Sequence, residues 1–120
     1  MKLLLTLFLL SCIACSPDGR HLPGRWRAIA FYEKGQALTT PLDSVRLVFL
    51  PDGQYEFRSV GFYREQGPFR LSGSHLFLTD TTEEPAKEHI LRVLFLSSDT
   101  LKILMKKGDT EQVLFLKKQI

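Results

Sequence analysis

The sequence predicts an all-β domain, an antiparallel up-and-down barrel of eight strands, and three observations carry that expectation. From Gly24 onward apolar residues recur at every second position, the period of a strand with one buried face. Gly, Pro, Asp and Ser interrupt these runs at short intervals, as hairpin turns do. No ten-residue segment of that region holds a 3.6-residue period, which limits helix to a turn or two.

The first element in chain order is not part of the fold. Lys2 precedes a mostly apolar run, Leu3 to Leu10, and then small residues lead to Cys15. The run is too short to span a bilayer and has the shape of a cleaved secretory signal over residues 1–14. Ile13-Ala14-Cys15 resembles the end of a bacterial lipoprotein signal, in which the cysteine after the cut receives lipid. Cys12 stands where that family most often has leucine, and it offers a second, shorter reading; cutting there leaves only eleven residues for both charge and apolar core. Cys15 is therefore the expected lipidation site, although a plain secretory signal followed by a free cysteine would look much the same. A diacylglyceryl group would anchor the chain stably, because each buried methylene contributes about 0.8 kcal/mol and two chains are enough. The resemblance implies a lipid-anchored protein of the bacterial cell envelope, and Ser16 in place of an aspartate leans toward the outer membrane.

Residues 15–22, with Pro17 and Gly19, read as the lipidated cysteine and a short tether, and residues 23–120 as one barrel domain. The strand-like runs follow: Trp26 to Glu33, Val45 to Leu50, Gln54 to Arg58, Phe69 to Leu71, Leu76 to Leu78, Ile90 to Leu96, Leu101 to Met105 and Gln112 to Lys117. Pro51-Asp52-Gly53, Ser72-Gly73-Ser74, Ser98-Asp99 and Lys107-Gly108-Asp109 supply tight turns, and Glu33 to Leu42 and Thr81 to Lys87 supply longer connections. Strands in this order can close into a barrel without an exposed edge, or pack as two sheets; alternation alone fits both.

Leu22-Pro23-Gly24-Arg25-Trp26 resembles the opening strand of small bacterial lipocalin-like proteins. Phe49-Leu50-Pro51-Asp52-Gly53 is similar to that group's Asp-Gly hairpin, Gly67 to Leu71 to a later strand with Phe69 in the aromatic place, and Leu96 to Leu101 to its penultimate turn. The resemblance implies that Gly24 lets the chain bend and that Trp26 plugs the closed end under a basic side chain, for which Lys117 and Lys118 are the available residues.

An eight-stranded barrel is just wide enough to be filled by side chains or to hold one small ligand. The expected inner face includes Trp26, Ala28, Ala30, Tyr55, Phe57, Phe69, Met105, Val113 and Phe115. Of these Trp26, Ala28, Ala30, Tyr55, Phe57, Phe69, Met105 and Phe115 are the candidate lining of a ligand site. Ala28 and Ala30 leave room, and the Tyr55 hydroxyl can orient a bound molecule. The leading expectation is a membrane-anchored protein that binds a small apolar or amphipathic ligand. The alternative is a filled barrel meeting an envelope protein partner through outward apolar positions, here Val48, Leu50, Leu104, Leu114 and Leu116.

Other classes find little support. His21, His75 and His89 lie far apart in sequence and no serine sits in a nucleophile elbow, so neither a catalytic set, a metal site nor a cofactor is expected. Asp80, Glu83, Glu84 and Glu88 read as a solvated charged loop. A net charge of +3 with 13 acids interspersed among 16 bases does not point to nucleic acid.

Overall fold

The structure is a computed structural model, and it describes residues 17–39, 41–59 and 63–119. The signal segment, Cys12 and Cys15 lie outside the described residues. Nine antiparallel strands form one sheet: β1 (Gly24–Glu33), β2 (Gln36–Ala37), β3 (Arg46–Phe49), β4 (Gln54–Arg58), β5 (Arg64–Ser72), β6 (His75–Asp80), β7 (Lys87–Leu96), β8 (Thr100–Lys107) and β9 (Thr110–Lys118). β1 pairs with β3 on one side and with β9 on the other. That second pairing closes eight strands into a barrel and removes the sandwich. β2 is a two-residue addition folded back on the end of β1, with Tyr32 opposite Ala37.

The turns form where the sequence places them, for local reasons. At Pro51-Asp52-Gly53 the Gly53 N–H donates to the Leu50 carbonyl (3.2 Å). The Gln54 N–H donates to Asp52 Oδ1 (3.1 Å), and Gly53 takes a φ of 89° that a side chain would resist.

Chain entry differs from the expected tether. Gly19–His21 form a single 3-10 turn after Asp18, whose carboxylate accepts from the Arg20 N–H. Leu22, assigned to the tether by sequence, is 1% exposed and belongs to the core. Burying it contributes about 1.5–3 kcal/mol, so the folded unit begins before residue 23.

Trp26 is fully buried and its indole N–H donates to the Leu22 carbonyl at 2.8 Å. Lys118 is the basic side chain above it: its Nζ lies 4.9 Å from the ring centroid and donates to the His21 carbonyl at 2.7 Å. Gly24 makes room, since a Cβ there would meet Lys118 Cε at 3.2 Å. Phe49 and Phe69 meet edge to face, 4.8 Å between centroids. Together with Leu71 and Leu76 these residues make this end of the barrel solid.

Two irregularities change which residues face inward. A bulge between Ala28 and Ala30 leaves Ile29 unpaired in β1, and a second between Val93 and Phe95 does the same for Leu94 in β7. Each extra residue flips the parity beyond it. Ala28 therefore faces in while Ala30 pairs with Phe115 on the outer face, and Phe31, opposite buried Leu114, turns in. On β9 the core positions are Leu114 and Leu116, opposite Ile103 and Leu101. The expected inward Val113 and Phe115, and the expected outward Leu114 and Leu116, are exchanged.

Candidate functional site

At the end of the barrel away from Trp26 the inward positions become polar. Glu65 on β5 continues the inward series Leu71, Phe69, Gly67; Asp80 ends the series Leu76, Leu78 on β6; His89 precedes Leu91 and Val93 on β7. Glu65 is 8% exposed and Asp80 1%. One ligand atom from each of Glu65, Asp80 and His89 lies within 4.8 Å of the others.

Backbone geometry makes that meeting possible. Gly67 sits where a Cβ would come 1.8 Å from the Thr79 carbonyl oxygen, so only glycine lets β5 and β6 approach this closely. The approach is held by the Thr81 N–H and hydroxyl, both donating to the Gln66 carbonyl (2.9 and 3.1 Å).

Each carboxylate has donors. Glu65 accepts from the Tyr55 hydroxyl at 3.2 Å and from the Tyr63 hydroxyl on its other oxygen. Asp80 Oδ1 accepts from the Thr82 N–H (2.9 Å) and hydroxyl (2.6 Å). Burial, then the neighbouring Glu65 charge, pushes the Tyr55 phenol well above its ordinary value. The hydrogen bond to Glu65 is the main cause that lifts Tyr63 to about 12. Burial raises the Asp80 carboxyl, but the Thr82 hydrogen bonds, the Gln66 N–H and the His89 charge together hold it below the usual carboxylate value. His89 Nε2 lies 3.5 Å from Glu65 Oε1. It is buried and has no hydrogen-bond partner among the described residues.

Beside this cluster is a cavity of about 210 Å³ walled by Phe57, Leu78, Leu91 and Met105, with Glu65, His89, Lys106 and Gln112 as polar lining. It falls below the ~300–1,000 Å³ of drug-sized ligand pockets and suits a small molecule. Chemically it offers apolar contact along the walls, with a carboxylate and an imidazole nitrogen converging on one side.

The sequence-based candidates divide among three places. Phe57 and Met105 line the cavity, and Tyr55 supports its polar side through Glu65. Trp26, Ala28 and Phe69 belong to the packed core, Phe69 at its margin, and do not line the cavity. Ala30 and Phe115 are on the outer face and do not reach the interior: the bulge at Ile29 reverses the parity of β1 at Ala30, and the β8–β9 register pairs Phe115 with Lys102 while Leu114 and Leu116 face Ile103 and Leu101. There Tyr32 packs edge to face on Phe115 (5.4 Å) with Lys102 Nζ 4.6 Å from the same ring. Larger than the interior cavity, an open groove of about 650 Å³ runs over this outer face past Leu94, Leu104 and Val113. It is a surface trough, lined also by the charged side chains of Lys34, Lys102, Asp109 and Glu111.

Glu65, Tyr63 and His89 were not among the sequence candidates, and Asp80 was assigned to a solvated loop. The signal for them is parity: extending the period-two series of β5, β6 and β7 by one or two steps puts a Glu, an Asp and a His at inward positions.

No protein-family model matches the chain, and no curated protein matches it. Among solved structures it is similar to a lipocalin-like protein from Bacteroides uniformis, with a TM-score of 0.63 and 17% identity over 82% of this chain and 99% of that one. It is also similar to an uncharacterized protein from Bacteroides eggerthii, with a TM-score of 0.56 and 14% identity over the same shares. At these identities the likeness is one of fold, a lipocalin-like barrel.

Proposed function

We propose that this chain is a lipid-anchored envelope protein whose barrel binds one small amphipathic molecule at the end opposite Trp26. The observation that carries the reading is the 210 Å³ cavity with apolar walls and a polar side made by Glu65 and His89. A buried carboxylate that already accepts two phenolic hydrogen bonds is fixed in place, which lowers the ordering cost of binding a donor group. The apolar part of such a molecule would lie against Phe57, Leu91 and Met105. Its size is bounded by the cavity, so a full-length acyl chain is a poor fit and a compact molecule with a hydrogen-bond donor for Glu65 is a good one. The anchor is the acylated Cys15, and it places the domain at a lipid membrane of the cell envelope, on the outer-membrane side by the residue that follows it.

The test is native mass spectrometry of the full chain, purified in mild detergent from its own host. The expected result is one small molecule per chain, lost when Met105→Trp fills the cavity. A clean mass for the protein alone, unchanged by adding an extract of envelope lipids and small molecules, contradicts the reading. Anchoring is tested separately: Cys15→Ala should abolish palmitate labelling and release the protein from membranes, and labelling that depends on Cys12 instead would move the site.

A second reading is favoured by the outer groove. Leu94 and Phe95 are exposed beside it, and apolar surface gathered on one side of a barrel marks contact with a protein partner. In that reading the interior is only packing, and crosslinking through Phe115 or Leu94 would capture an envelope protein while the native mass stays clean.

A further inference from the structure

We propose that Glu65, Asp80 and His89 form a binding site for one transition-metal ion, with Zn2+ as the fitting probe. Four observations converge on it. The three ligand atoms lie within 4.8 Å of one another. The 3.5 Å between His89 Nε2 and Glu65 Oε1 is close to the ~3.3 Å that separates two ligands of a tetrahedral ion bound at 2.0–2.1 Å. Two nearly fully buried carboxylates also stand together, and among the described residues no lysine or arginine nitrogen comes within ion-pair distance of either. Paired buried carboxylates repel unless one keeps a proton or a cation stands beside them, and here that cation is either a protonated His89, 3.5 Å from Glu65, or a bound metal. Finally, the imidazole nitrogen that faces them is buried without a hydrogen-bond partner among the described residues, so once it carries no proton its lone pair is free to ligate.

The surroundings fit a metal as well as the donors do. Tyr55 and Tyr63 on Glu65, and Thr82 on Asp80, are the outer hydrogen bonds that fix ligating carboxylates. Each carboxylate keeps lone pairs beyond those it gives to these donors. The donor set chooses the metal class. Ca2+ and Mg2+ take oxygen ligands alone, whereas an imidazole beside carboxylates suits Zn2+, Ni2+ or Fe2+. Three protein ligands would leave the ion an open position, and two of them, Glu65 and His89, also line the 210 Å³ cavity. The site goes beyond the proposed carrier role, since it needs no organic molecule; either can fail without the other.

The test is titration of the full chain in detergent, stripped with a chelator, first with Zn2+ and then with Ca2+. The expected outcome is one Zn2+ per chain by calorimetry and native mass, with a rise in melting temperature, and no comparable effect of Ca2+. His89→Ala and Glu65→Gln should each weaken Zn2+ at least tenfold, and His75→Ala should change nothing. If those variants do not fold, Co2+ on the parent chain replaces them: visible ligand-field bands and paramagnetic broadening centred on residues 65, 80 and 89 support the site. Absence of a one-to-one ion, affinity indifferent to His89→Ala and Glu65→Gln, or broadening centred elsewhere overturns it. A water on His89 Nε2 in place of the metal gives the first of these results.

Discussion

At one end of the barrel Trp26, Leu22, Phe49 and Phe69 fill the interior, and Lys118 lies over the indole from outside. At the other end the same alternation of inward positions delivers Glu65, Asp80 and His89, held by Tyr55, Tyr63 and Thr82 around a cavity. The first end is apolar area removed from water, which stabilises the fold. The second is buried charge, which costs stability unless it is paired, and is better explained by something bound there than by folding. On the proposed reading, stability and binding occupy opposite ends of one barrel.

Perturbing each end in turn should separate them. The largest effect is expected for Trp26→Ala, about 3–5 kcal/mol from the lost packing and the void left behind. Chemical denaturation should show a large loss of midpoint with the cavity residues' chemistry unaltered until the fold fails. Unchanged cooperative melting would mean that the plug is not where stability resides. Gly67→Ala attacks the other end, where the new methyl must displace the Thr79 backbone. A cost of about 1–3 kcal/mol is expected, together with loss of the Asp80 to Glu65 approach, read as weakened binding of Zn2+ or of the native molecule. Stability falling while binding persists would show that the approach of β5 to β6 is not what assembles the cluster. Lys118→Met removes the cation above Trp26 and should cost about 0.5–2 kcal/mol without touching ligand affinity.

The smallest effect is one of pH. Folded Tyr63 keeps its proton to about 12, and Tyr55 is raised as well, whereas unfolded tyrosines ionise near 10.0. The folded state binds more protons in that window, so this contribution is complete below about pH 10 and is lost as pH climbs through the folded values. Tyr55→Phe should shrink the alkaline loss, measured as melting temperature against pH. The same loss in the variant would place the alkaline sensitivity elsewhere.

The closed end was the more legible of the two. Trp26, Phe49 and Phe69 are large, apolar and spaced by two, and the hairpin at Asp52-Gly53 announces itself through turn chemistry. Alternation sufficed for the strands and their order, but it failed where both faces are apolar. Along Val113-Leu114-Phe115-Leu116 either parity reads as inward, and the choice is made by the register with β8, which sets Leu114 and Leu116 opposite Ile103 and Leu101. For Ala30 the extra residue Ile29 places a well-predicted strand's side chain on the wrong face. The polar end was illegible for a different reason. Glu65 and His89 lie just outside the apolar runs that define β5 and β7, and a charged residue at the edge of a strand looks solvated until closure of the barrel buries it.

The division between the ends is tested most directly by amide chemical-shift mapping of the isotope-labelled full chain in detergent, before and after adding the molecule released from the native protein, or Zn2+ where none is released. The account predicts that shifts gather at Phe57, Glu65, Asp80, His89 and Met105, while Leu22, Trp26 and Lys118 stay still. Shifts confined to Tyr32, Leu104 and Phe115, on the outer groove, would contradict it and make the barrel interior mere packing.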